Sequence, residues 1–198
     1  MRSMTRLVAV VALATLPGAA LAQHGGHGQA SPYAGEEARD IKSLSAADIA
    51  ELRRGGGWGL AKAAELNGVP GPAHLLELKD EIALSADQIA AISAIFAAMQ
   101  ADAIGEGERL IAREQALDQA FRARRVTDES LRRMLAAIEE SRSALRYIHL
   151  AAHLATPPLL AEQQIARYIA LRGYAADPCQ DAPAGHDPAV WRQHNACK

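Results

Sequence analysis

Between Leu84 and Arg125, apolar residues recur every seven positions at Ile89, Phe96, Ala103, Leu110 and Leu117, with Ile92, Ile95, Met99 and Phe121 beside them. That spacing sets one narrow apolar stripe along a helix face and predicts a single long helix. Ser85 stands where its side chain can cap the free N–H groups of the first turn, with Asp87 and Gln88 just inside. Asp87 also places negative charge at the positive end of the helix dipole. No proline interrupts the stretch. About 40 residues at ~1.5 Å each make a rod of roughly 60 Å, too long for one small core, so another segment must lie along it. Gly105 and Gly107 are its soft spot, since each glycine costs about 1 kcal/mol relative to alanine. A bend or a close helix contact is expected there.

The next segment has a matching pattern. Val126-Thr127-Asp128 makes a turn, with Thr127 or Asp128 as the cap of a helix from about Glu129 to Ala155. Leu131, Ile138, Leu145 and Ala152 again repeat every seven, with Leu135 and Ile148 beside them. Two such arms joined by a tight turn predict an antiparallel helical hairpin. Thr156-Pro157-Pro158 breaks the second arm, and Leu159 to Leu171 reads as a final helix ending at Gly173. Ahead of the hairpin, Ser45 to Arg54 is a short capped helix closed by Gly55-Gly56-Gly57. Trp58 to Leu66 suggests a second, closed by Asn67-Gly68, and Pro72 starts a third over Ala73 to Ile82. Strand signals are nearly absent. The fold class predicted is all-α: a long hairpin with short N-terminal helices and a C-terminal helix.

Residues 1–22 change the picture of the chain's destination. Arg2 and Arg6, the apolar run from Leu7 to Leu16 and the Ala20-Leu21-Ala22 site read as a secretory signal. The run falls short of the ~20 residues a membrane span needs, and no membrane span is expected after cleavage. The mature chain is expected to start near Gln23 and to reside in the periplasm. Loss of the two arginines takes the formal charge from −2 to −4, and without a strongly basic domain nucleic acid is not an expected partner. Residues 23–43 read as a leader without structure, containing His24 and His27; 44–174 as the helical domain; 175–198 as a tail. Cys179 and Cys197 both fall in that tail. In an oxidising compartment a disulfide is the first reading, and a metal site with His186 and His194 the second.

Leu84-Ser85-Ala86-Asp87-Gln88, opening a long helix, resembles the LTxxQ signature of the Spy/CpxP family of periplasmic proteins, with Ser in place of Thr. A partial second copy, Leu159-Leu160-Ala161-Glu162-Gln163, opens the last helix; Leu160 replaces the capping Thr, so the cap can pass to Thr156. The family-motif residues are thus Leu84, Ser85, Gln88, Leu159 and Gln163. The resemblance covers roughly Leu75 to Tyr174 and leaves the first two helices and the cysteine tail unexplained. It implies a curved hairpin that dimerises into a cradle. It also implies an ATP-independent chaperone of unfolded or misfolded envelope proteins or an envelope-stress protein, or alternatively a heavy-metal-binding or metal-sensing protein.

No catalytic set stands out, and an enzyme is not expected. Acidic residues alternate with arginine, as in Glu106/Arg109 and Asp118/Arg122, and read as a solvated face. The constellation to weigh is His149-x-x-x-His153, four residues apart on one helix face. It reads either as a packed, hydrogen-bonded pair or as two ligands to zinc, copper or nickel, with His74 or the leader histidines completing the set. Otherwise no cofactor is implied. Tyr147, Leu150 and Leu154 make this end of the helix apolar nearly all round. A cover is expected from the terminal helices or from a second subunit in a homodimer.

Overall fold

The computed structural model describes residues 31–174 and 185–194. The described residues divide after Gly35 into two units; of the first only a turn is described, closed by Ala34 N–H on the Ser31 carbonyl. The second unit is all-α, with no strand among the described residues. Its helices are α1 (Ala46–Arg53), α2 (Lys62–Glu65), α3 (Pro72–Glu77), α4 (Ala86–Arg122), α5 (Asp128–Ala155), α6 (Glu162–Leu171) and α7 (Pro188–His194), with 3-10 turns at Glu36–Ala38 and Pro157–Leu159.

Caps explain where these helices begin. Ser45, Ser85 and Thr127 each accept the N–H three residues on, and Asp48, Gln88 and Ser130 reach back to the cap N–H. Each reciprocal pair satisfies two donors that the helix start leaves open. Arg124, in the left-handed conformation at φ +53°, ends α4, and Arg125 N–H bonds back to the Ala120 carbonyl. The short helices are shorter than their patterns suggested: α2 keeps four residues because Trp58 and Gly59 lie in left-handed backbone, and α3 ends at Glu77. The leader is also shorter. Ile41 and Leu44 are buried, so ordered packing starts well before residue 44.

α4 meets α1, α3 and α5. Two apolar cores form along it. One gathers Ala103, Leu110 and Ile111 of α4 with Ile138 and Leu145 of α5, Leu52 of α1, and Ile41 and Leu44. The other places Ile92 with Leu75, Ile82 and Tyr168. α4 is continuous through its glycines, and the close contact falls at Gly107 alone. A Cβ there would lie 2.6 Å from the Leu52 carbonyl oxygen, whereas one at Gly105 would meet nothing within 4 Å.

The solvated acidic face needs correction. Glu106 and Glu114 are only 7% and 5% exposed. Glu106 accepts from Arg109 and, at 2.5 Å, from the Ser141 hydroxyl of α5. Glu114 accepts from Arg142 at 2.8 Å and Ser43 at 2.7 Å. Arg113 crosses from α4 to the Ala137 carbonyl, the Ser141 hydroxyl and Glu140. An (i, i+3) arginine covers one side of a carboxylate; α5 covers the other. Burial alone would raise the Glu106 carboxyl, but Arg109 and Ser141 outweigh it and hold it below the ordinary glutamate value.

Two further features concern apolar surface. An 18-residue window of α4, with mean hydropathy 1.3, is long and apolar enough by length and composition to cross a membrane, although only 17% of it is buried. The alanine-rich first half raises the mean without adding bulk to the stripe. At the apolar end of α5, Tyr147 and Leu154 are each 73% exposed, so among the described residues the terminal helices do not cover them.

Gly107→Ala will therefore destabilise the fold by about 1–3 kcal/mol, as overpacking against fixed backbone does. Gly105→Ala, in open space, will stabilise it by up to about 1 kcal/mol; chemical denaturation of the two variants checks both signs. Because the folded Glu106 has a lowered pKa, its contribution is present above the ordinary glutamate value and is lost as pH falls through the folded value. Glu106→Gln will flatten the acid limb of the stability curve, measured by thermal melts between about pH 5 and 3.

Candidate functional site: a histidine-floored cavity

α5 presents Ile138, Ser141, Leu145, His149 and Ala152 along its buried side, and His153 joins them one turn beyond His149. The two imidazoles are 3% and 7% exposed. They line one cavity of about 440 Å³ with Phe96, Met99 and Gln100 of α4, the start of α3, and the Gly55–Gly57 loop. On α4 these residues lie between Ile92 of one core and Ala103 of the other.

Each ring is oriented by backbone. His153 Nδ1 lies 2.8 Å from the Val69 carbonyl oxygen. A carbonyl can only accept, so Nδ1 carries a proton and donates it to Val69. Val69 is held there by the Pro70-Gly71-Pro72 turn, all three of whose residues are buried. A Cβ at Gly71 would overlap the His153 ring, so only glycine lets the turn approach. The His149 ring makes a backbone hydrogen bond at Gly56 that favours its protonated form, so the ring donates to that carbonyl. Its Nε2 is buried without a partner. Burial and then His153 push the His149 pKa below the ordinary value, outweighing Glu51 and Gly56. The ring is accordingly neutral, with its lone pair on Nε2.

The Gly-rich wall is anchored from outside. Trp58 Nε1 donates to Asp48 Oδ1 at 2.8 Å, and the Arg142 guanidinium stacks 5.3 Å from the Trp58 ring centre. Glu51 pairs with Arg54 and accepts from Trp58 N–H. On the far rim, Glu65 Oε1 accepts from Tyr168 (2.7 Å), Tyr174 (2.9 Å) and Arg172 (2.9 Å). Burial would raise the Glu65 carboxyl, but the two hydroxyls and the Arg172 charge hold it below the ordinary value.

Among the described residues no three His, Cys, Asp or Glu side chains come together as a metal set. His74 lines the same cavity, but its Nδ1 is paired with Glu77 at 2.8 Å. His186 packs edge-on against Trp191 and His194 ends α7. His24, His27, Cys179 and Cys197 lie outside the described residues, and so does the expected disulfide.

The paired motif residues meet, in a shifted register. Gln88 Nε2 donates to Gln164 Oε1 at 2.8 Å, and Gln164 Nε2 donates to Gln88 Oε1 at 3.0 Å. Each amide oxygen also accepts its own helix-cap N–H, from Ser85 and Ala161. The glutamine that meets Gln88 is thus Gln164, four residues after Leu160 as Gln88 is four after Leu84. Gln163 is exposed, and Leu159 contributes its carbonyl, which accepts from Gln88 at 2.8 Å. Thr156 does not cap this helix, since its hydroxyl is taken by the Ala152 carbonyl. Leu160 standing four residues before Gln164, as Leu84 stands before Gln88, was the available signal. Met99 and Gly71 were not singled out as site residues; for Gly71, its place between two prolines was the only sign.

No family profile, characterised protein or solved structure matches this chain.

Gln164→Ala will cost about 1 kcal/mol by breaking the reciprocal pair, while Gln163→Ala will be silent in the same denaturation assay. Equal effects at the two positions would return the motif to its original register.

Proposed function

We propose that this chain is an exported, ATP-independent chaperone whose α4–α5 arms form an antiparallel hairpin of the Spy/CpxP kind, holding partly unfolded envelope proteins by weak apolar contacts. The observation that carries this reading is large apolar side chains left open: Tyr147 and Leu154 stand one heptad apart on α5 at 73% exposure, and Ile104 of α4 is 37% exposed. Apolar surface left open marks interaction sites where it is extensive.

The test is suppression of aggregation of a chemically unfolded client without nucleotide. Replacing Tyr147 and Leu154 together by Glu will leave the helical spectrum intact, because both side chains are exposed, and will reduce suppression several-fold. Ile104→Glu, near Gly105 and Gly107, will act in the same direction. His149→Gln with His153→Gln will leave suppression close to the parent level, provided the fold is retained. Full activity in the Tyr147/Leu154 variant would sink this reading.

A further inference from the structure

We propose that the cavity floored by His149 binds a small neutral molecule, an aromatic body carrying one hydroxyl or N–H donor. The inference is independent of the chaperone reading. Size comes first. A cavity of about 440 Å³ falls within the range of small-molecule sites on proteins, roughly 300–1,000 Å³, and far exceeds the ~30 Å³ share of one water. One lining side chain also lacks a partner. His149 is 3% exposed, and among the described residues its Nε2 has no hydrogen-bond partner. A buried polar atom left so is rare in native proteins and calls for a group that satisfies it. As the chain stands this nitrogen is closed to solvent, so a ligand reaches it by displacing part of the wall. Gly57 is the place to yield, for a Cβ added there would meet nothing within 4 Å.

The chemistry of the lining selects the class. The His149 ring gives its one N–H to the Gly56 carbonyl and is neutral, so its other nitrogen accepts and the ligand must donate. A charged ligand is not favoured. Glu51, Glu65 and Glu77 line the cavity with Arg54 and Lys62, and each carboxylate is already matched, by Arg54, Arg172 and His74. An anion would meet the three carboxylates and a cation would meet Arg54 and Lys62, and a charge taken out of water without a partner is costly. Phe96 and Met99 of α4 supply the apolar wall. An aromatic ring packs offset or edge-on against phenylalanine, and thioether sulfur sits favourably at a ring edge. Phe96 is half-buried and belongs to neither apolar core, so part of its ring is open for a ligand to pack on.

The experiment is equilibrium dialysis of the full exported chain with β-naphthol and with β-methylnaphthalene, two compounds of one shape that differ in the donor. The parent chain should hold β-naphthol about tenfold more tightly or better, because a site with a buried acceptor rejects the analogue that cannot satisfy it. His149→Phe should bring the two affinities together. Phe96→Ala should weaken both compounds alike, since it removes apolar contact and leaves the acceptor in place. In isotope-labelled parent protein, β-naphthol should also move the His149 Nε2 resonance toward that of a hydrogen-bonded acceptor, a readout that needs no variant. No uptake by the parent chain, or equal affinity for the two compounds, overturns the proposal. So does a preference that survives His149→Phe, or a His149 resonance unmoved with β-naphthol bound. Binding indifferent to Phe96→Ala overturns it as well, for the compounds would then sit on open apolar surface such as Tyr147 and Leu154 and not in the cavity.

Discussion

A helix of 37 residues spans roughly 55 Å at ~1.5 Å per residue, and its apolar stripe cannot be sheltered by any one short neighbour. The rest of the chain answers that constraint in sections. α5 covers α4 over the Ala103–Leu110 stretch, α1 approaches at Gly107, and α3 with Tyr168 of α6 closes the stretch around Ile92. Hydrophobic burial is non-directional, so it brings these covers to the stripe without fixing how they meet. Close approach at Gly107 and the reciprocal glutamine pair at the helix starts supply the direction. The cavity lies where one cover ends and the next begins, bounded by the Gly55–Gly57 loop and the Pro70–Pro72 turn.

The interface between the long helices is layered by polarity. Glu106, Ser141 and Arg113 form one polar step and Glu114 with Arg142 another, between apolar contacts at Leu110, Ile138 and Leu145. A buried carboxylate without its partners is strongly destabilising, whereas two matched sets in register are tolerated. A slide of one helix along the other would strand both carboxylates at once. Met99, His149 and His153 line the cavity beyond these steps.

The two functional readings occupy different surfaces. The proposed contact with unfolded chains draws on the outward side of α5, at Tyr147 and Leu154, and on Ile104 of α4. The imidazole pair faces the opposite way, into the protein, where the same helix turns supply His149 and His153. One α5 segment can therefore serve both, because residues four apart share a face and the exposed residues lie on the other side.

Periodicity was sufficient for what depends on local sequence. The two long helices, the caps at Ser45, Ser85 and Thr127, and the break at Pro157 all follow from side-chain spacing and from backbone groups within a few residues. The spacing of His149 and His153 likewise put both on one turn-to-turn line. What depended on distant partners could not be read this way. Glu106 and Glu114 look solvated beside their arginines, and only Ser141, Arg142 and Ser43 from other segments make them buried. The glutamine that meets Gln88 is Gln164 and not its neighbour Gln163, which follows from how the starts of α4 and α6 pack together. The orientation of the His153 ring rests on the Val69 carbonyl, 84 residues away. Local rules act through bonds within a turn or two. Burial, hydrogen-bond partners and the room left by Gly71 are properties of which segments meet, and only the tertiary structure decides that.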